Sequence, residues 1–87
     1  MMPVSLSKYL REKRVSVAMT QQQAGKMLGY EKSQFLSNLE RGTSKPPLEV
    51  LKRMCEVYKI SREEMRARYV EDVVREAESK ALQRWST

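Results

Sequence analysis

Apolar residues recur along this chain at intervals of three and four, the spacing that gathers side chains on one face of an α-helix, and no segment alternates as a strand would. Leu6, Tyr9, Leu10 and Val17 mark one such face, with Lys8, Arg11, Lys13 and Arg14 between them. The pattern predicts an amphipathic helix over residues 5–16, capped by Ser5 or Ser7. Thr20, followed three residues later by Gln23, forms a capping-box pair. It predicts a second helix whose buried stripe is Ala24, Met27 and Leu28 and which Gly29 closes in the left-handed conformation.

A third helix is expected over residues 33–41, with Leu36 and Leu39 facing inward and Phe35 covering their side. Phe35 is open between that core position and an exposed stacking role. The start of this helix is open between Glu31 and Ser33, because neither Tyr30 nor Glu31 is a favoured cap. Gly42 ends it. Thr43 to Pro47 then read as a loop whose last proline suits the first position of a helix. Leu48, Leu51, Met54 or Cys55, and Tyr58 mark that fourth helix. Ser61-Arg62-Glu63-Glu64 is a second capping box, opening a fifth helix that runs to about Gln83. The expected fold class is all-α, five helices with an extended last one.

Composition narrows the chemistry. An 87-residue chain has room for one small core and no cleft between lobes. Seventeen basic side chains against eleven acidic ones give a net charge of +6, which favours a polyanionic partner. The excess sits at the front: residues 1–62 carry twelve basic and five acidic groups, residues 63–87 five and six. Single Cys55 and the lack of histidine remove an intrachain disulfide, the usual zinc-ligand sets and the commonest general base. No metal, no cofactor, no small-molecule effector and no enzymatic activity are expected, and Cys55 reads as inert packing. After Met1, Met2 and Pro3 no apolar run resembles a leader, and nothing approaches the roughly 20 apolar residues of a membrane span. A soluble cytoplasmic protein is the expectation.

Two short helices separated by a glycine, the second ending at another glycine, have the sequence form of a helix-turn-helix, here about residues 20–41. In that arrangement the first helix braces the second, which offers polar side chains to base edges in the major groove. Lys32, Ser33, Gln34, Ser37 and Asn38 supply them.

The stretches Met19 to Gly29, Leu36 to Gly42 and Pro46 to Leu51 resemble the Cro and lambda-repressor type of helix-turn-helix protein, also called the xenobiotic-response-element family. The resemblance covers about residues 5–65. It implies a lambda-repressor-like DNA-binding domain, with two departures. The interval from Gly29 to Leu36 is one residue longer than in the commonest members, and Gly25 stands where alanine is usual. By the same resemblance Gln21 binds a phosphate oxygen, with simple helix capping as its alternative. Ser33, Gln34 and Asn38 match base-facing positions. Gln22, Arg41, Thr43, Ser44 and Lys45 fall where the backbone of one strand is contacted, and Arg14 and Glu40 match a structural ion pair.

Residues 63–87 form a tail distinct from the core of residues 1–62. Its apolar stripe of Tyr69, Val70, Val73, Val74, Ala77, Ala81 and Trp85 either folds back on the first and fourth helices or pairs with a second subunit. The dimer is the expected reading, since two subunits on a two-fold axis would recognise an inverted repeat in double-stranded DNA. The whole then reads as a bacterial or phage transcriptional regulator, a repressor acting as a homodimer. A DNA-binding antitoxin, or a helical interaction module without DNA binding, are the alternatives.

Overall fold

Five helices succeed one another in the computed structural model, which describes residues 5–86: α1 (Leu6–Ser16), α2 (Gln21–Met27), α3 (Gln34–Arg41), α4 (Leu48–Val57) and α5 (Arg62–Ser86). The expectation placed on Met1, Met2 and Pro3 lies outside the described residues, as does Thr87. No strand occurs among the described residues.

The predicted caps form. Ser5 Oγ accepts the Lys8 N–H at 3.3 Å, and Ser61 Oγ accepts the Glu64 N–H at 3.1 Å. Thr20 and Gln23 close a full capping box, each side chain accepting the other's backbone N–H at 3.0 and 2.9 Å. A donor of α1 is met from far along the chain: the Leu6 N–H donates to Asp72 Oδ1 at 3.3 Å. A carboxylate there also suits the positive end of the helix.

The first four helices all end in a left-handed turn, and only two of them use glycine. Gly29 (φ +93°) closes α2 and Gly42 (φ +78°) closes α3, but Ala18 (φ +57°) does so for α1 and Lys59 (φ +58°) for α4. Each turn is held by a hydrogen bond reaching back five residues: Met19 N–H to the Arg14 carbonyl, Tyr30 N–H to Gly25, Thr43 N–H to Asn38, and Ile60 N–H to Cys55.

Leu6, Tyr9 and Leu10 of α1, Ala24 and Leu28, Leu36 and Leu39, Val50, Leu51, Met54 and Cys55 of α4, Tyr58, Ile60 and Met65 make one core. Around it α1 packs on α3 and α5, α2 on α3, and α4 on α5. Tyr9 contributes to the α1–α5 contact, with the Lys13 ammonium 5.5 Å and the Arg68 guanidinium 5.3 Å from its ring centroid.

Four sequence expectations are corrected. Met27 is 62% exposed rather than buried, because Ala24, Gly25 and Leu28 lie close together around α2 and Met27 falls outside that arc. Leu48 is 52% exposed and Val50 takes its place inside, the face of α4 being centred on Val50, Leu51 and Met54. Pro47 is the N-cap of α4 and not its first helical residue; its carbonyl accepts the Val50 and Leu51 N–H groups. Finally, α5 continues past Gln83 to Ser86, making 25 residues that account for the long, 44 Å dimension of the molecule.

Candidate nucleic-acid interface

The turn between α2 and α3 is fixed from both sides. Its Schellman closure pairs Tyr30 N–H with the Gly25 carbonyl at 2.8 Å and Gly29 N–H with Lys26 at 3.1 Å. From α4, Arg53 Nη1 donates to the Leu28 carbonyl at 3.1 Å, placing a cation at the negative end of α2. Tyr30 then stacks on Phe35, ring centroids 4.1 Å apart, so Phe35 is half-buried against the core.

Residues Tyr30 to Ser33 lie between Gly29 and the start of α3. Lys32 is exposed there. Ser33 is the N-cap, with αR backbone and no side-chain capping bond, so its hydroxyl is not committed to the helix. Gln34 opens α3 on the exposed side, while Leu36, Leu39 and Glu40 are buried. The outward face carries a connected polar ledge. Asn38 Oδ1 accepts from Gln34 Nε2 at 2.9 Å and from Arg41 Nη2 at 2.9 Å. Both lone-pair directions of Asn38 Oδ1 are thereby used, leaving its Nδ2 as donor and the Gln34 Oε1 as acceptor toward solvent. Ser37 is half-buried beside this ledge.

Gly42 ends α3 in the left-handed conformation, and the loop folds back at once. Thr43 N–H and Oγ1 both donate to the Asn38 carbonyl, at 3.0 and 3.2 Å. Thr43, Ser44 and Lys45 are exposed in succession after exposed Arg41. The Lys45 ammonium is paired with Glu76 on α5, which Lys80 also approaches at 3.0 Å. These two ammonium groups hold the Glu76 carboxyl below the usual carboxylate range.

Behind the ledge sits a buried polar hub. Arg14 Nε and Nη2 donate to the two Glu40 oxygens at 2.7 and 2.9 Å, and Arg14 Nη1 donates to the Met19 carbonyl at 2.8 Å. The Glu40 carboxylate raises the Arg14 guanidinium above its ordinary range against the opposing effect of burial. Gln21 Nε2 completes the hub at 3.1 Å from Glu40 Oε1. One carboxylate thus joins α1, α2 and α3. The Arg14–Glu40 pair matches expectation. The Gln21 bond does not, since the sequence points Gln21 outward to phosphate or to capping. Gln22 is exposed on the adjoining turn.

On α5, Met65 is buried and Tyr69 packs half-buried on the core, which separates Tyr69 from the rest of the predicted stripe. Val70, Val73 and Val74 are about half exposed, and Trp85 is 89% exposed. Ala77 and Ala81 are exposed between them. Cys55 is buried, and burial pushes its thiol up. Among the described residues no three His, Cys, Asp or Glu side chains gather to hold a metal ion, and no helix is long and apolar enough to cross a membrane.

Comparison with known families matches residues 10–65 to the helix-turn-helix family. No curated protein and no solved structure matches the chain.

Proposed function

The chain belongs to the helix-turn-helix family, in its Cro and lambda-repressor form, and is a DNA-binding regulator; from that premise we propose that it is a repressor which binds an inverted-repeat operator as a homodimer, in the cytoplasm of a bacterium or of a phage-infected cell. The observation that carries the reading is the polar ledge of α3. Gln34, Asn38 and Arg41 are tied to one another on the face opposite Leu36 and Leu39, so the donors and acceptors are held in place before DNA arrives.

In this reading Lys32, Ser33, Gln34, Ser37 and Asn38 meet base edges. The free Asn38 Nδ2 and Gln34 Oε1 together offer one donor and one acceptor, the complement of adenine N7 and N6 in the major groove. Gln21, Gln22, Arg41, Thr43, Ser44 and Lys45 position the backbone, supplying affinity and register without sequence information.

The test is selection of DNA fragments by the purified protein, then anisotropy titrations over a range of salt. Gln34→Ala and Asn38→Ala should each weaken the preferred site by ~1–3 kcal/mol and relax preference at one A·T position. A uniform loss on all sequences would assign these residues to phosphate. No binding at low salt would sink the regulator reading.

A further inference from the structure

The side of α5 turned to its own core is Met65, Tyr69, Asp72 and Glu76: Met65 is buried, Tyr69 packs on the core, Asp72 accepts from α1 and Glu76 from the α3–α4 loop. At about 100° per residue, Ala67, Val70, Val74, Ala77 and Ala81 fall roughly 150° away, on the opposite side of the helix. Their spacing runs three, four, three, four, a heptad seam with Ala67, Val74 and Ala81 at position a and Val70 and Ala77 at position d. The seam leaves its valines about half exposed, and the chain has no element of its own on that side among the described residues.

The borders of the seam differ in charge. One edge, position g, carries Arg66, Val73 and Lys80; the other, position e, carries Glu71, Glu78 and Trp85. An antiparallel pair would set g against g and e against e, bringing cations against cations and carboxylates against carboxylates. A parallel pair sets each g beside the partner's e five residues on. We infer that α5 pairs in parallel with α5 of a second copy of this chain, Arg66 meeting the partner's Glu71, Val73 the aliphatic stem of the partner's Glu78, and Lys80 the face of the partner's Trp85. The present ties of Glu71 to Arg68 at 3.7 Å and of Lys80 to Glu76 at 3.0 Å join groups that are largely exposed and exchange at little cost. The last contact gives a role to a tryptophan that is 89% exposed in the single chain.

This arrangement rests on the homodimer proposed above and deepens it. The two-fold axis runs along the paired helices, so both reading domains stand at the Met65 end, side by side, as an inverted repeat needs.

The experiment uses the full chain with Cys55→Ala and one added cysteine, Arg68→Cys, Arg75→Cys or Leu82→Cys, each spin-labelled for dipolar distance measurement. All three are position b, seven residues apart. The expected result is a dimer by sedimentation with label separations equal to within ~5 Å at the three sites. In an antiparallel pair the axial offset changes by about 21 Å per heptad, twice seven residues at 1.5 Å, so the three separations cannot agree. That outcome would overturn the parallel pairing while leaving the homodimer intact. Equal separations above roughly 40 Å would place the interface elsewhere and also overturn it, since paired helices lie about 10 Å apart. A monomer, or a chain that dimerises only with a different protein, would overturn both the pairing and the homodimer. Val74→Glu is the companion variant: its helical circular dichroism should stay unchanged, because the seam is outside the core, while dimer affinity drops at least ~100-fold.

Discussion

Replacing Glu40 with alanine tests whether the buried hub holds the three front helices together. The carboxylate side chain is 2% exposed and the Arg14 side chain 11%, so the substitution strands a guanidinium that water can barely reach. It also removes the acceptor of three hydrogen bonds, two from Arg14 and one from Gln21. Breaking a buried pair by deleting one partner costs about 3–5 kcal/mol. At roughly 0.05–0.15 kcal/mol per residue, a chain of this size has about 4–13 kcal/mol in all, and the melting temperature should fall by at least ~12 °C. The paired substitution Arg14→Met with Glu40→Leu removes both charges together and should return to within ~1 kcal/mol of the parent. Thermal and urea unfolding tracked by circular dichroism measures both. A single variant losing under ~1 kcal/mol, or a double variant as unstable as the single, would refute the reasoning. The double variant carries a second readout: folded, but with Gln21 unanchored, it should bind DNA more weakly than the parent.

Gly25→Ala should raise stability by ~0.5–1 kcal/mol, since the new Cβ would meet only the Tyr30 carbonyl at 3.6 Å and the Lys32 carbonyl at 3.9 Å, both ordinary contacts; a fall in melting temperature would show the turn to be tighter than that. Ala18→Gly should also stabilise, by up to ~1 kcal/mol, because alanine there has a left-handed backbone; urea unfolding is the check. Burial, with the Glu40 carboxylate adding to it, pushes the Tyr58 hydroxyl up to about 12, and that hydroxyl has no hydrogen-bond partner in the protein. The unfolded chain releases this proton near pH ~10 and the folded chain does not, so about 2–3 kcal/mol of stability present below pH ~10 is lost as pH rises to 12. Tyr58→Phe should flatten that alkaline loss and leave neutral stability equal or higher, and an unchanged alkaline profile would contradict it.

Much of this architecture is written in single residues whose physics is local. Ser5, Thr20 and Ser61 announce helix starts because a short oxygen-bearing side chain can satisfy a free N–H within its own turn. Gly29 and Gly42 announce ends because their backbones need a positive φ. Ala18 and Lys59 adopt the same conformation without the signature residue, so those two ends are legible only through the capping residues Thr20 and Ser61 that open the next helix. Met27 and Leu48 mislead for another reason: on helices of seven and ten residues, one apolar residue at an edge shifts the apparent centre of the buried face. On the polar side, the outward set on α3 is legible from composition. The Gln21–Glu40, Arg53–Leu28 and Leu6–Asp72 bonds are not, since each joins residues 19 or more apart by geometry that no spacing rule encodes.

The two faces of α3 have a consequence for how such a protein changes over time. Leu36, Leu39 and Glu40 hold the helix to the core, while Lys32, Gln34, Ser37, Asn38 and Arg41 contribute no side chain to that core. Even the bonds that end the helix use the backbone carbonyl of Asn38, which any residue at that position would supply. Mutation can therefore explore new outward side chains on an unaltered scaffold. A duplicated gene could drift to another target without passing through an unfolded ancestor, and an engineer could vary the same positions as a library with the hydrophobic interior left untouched.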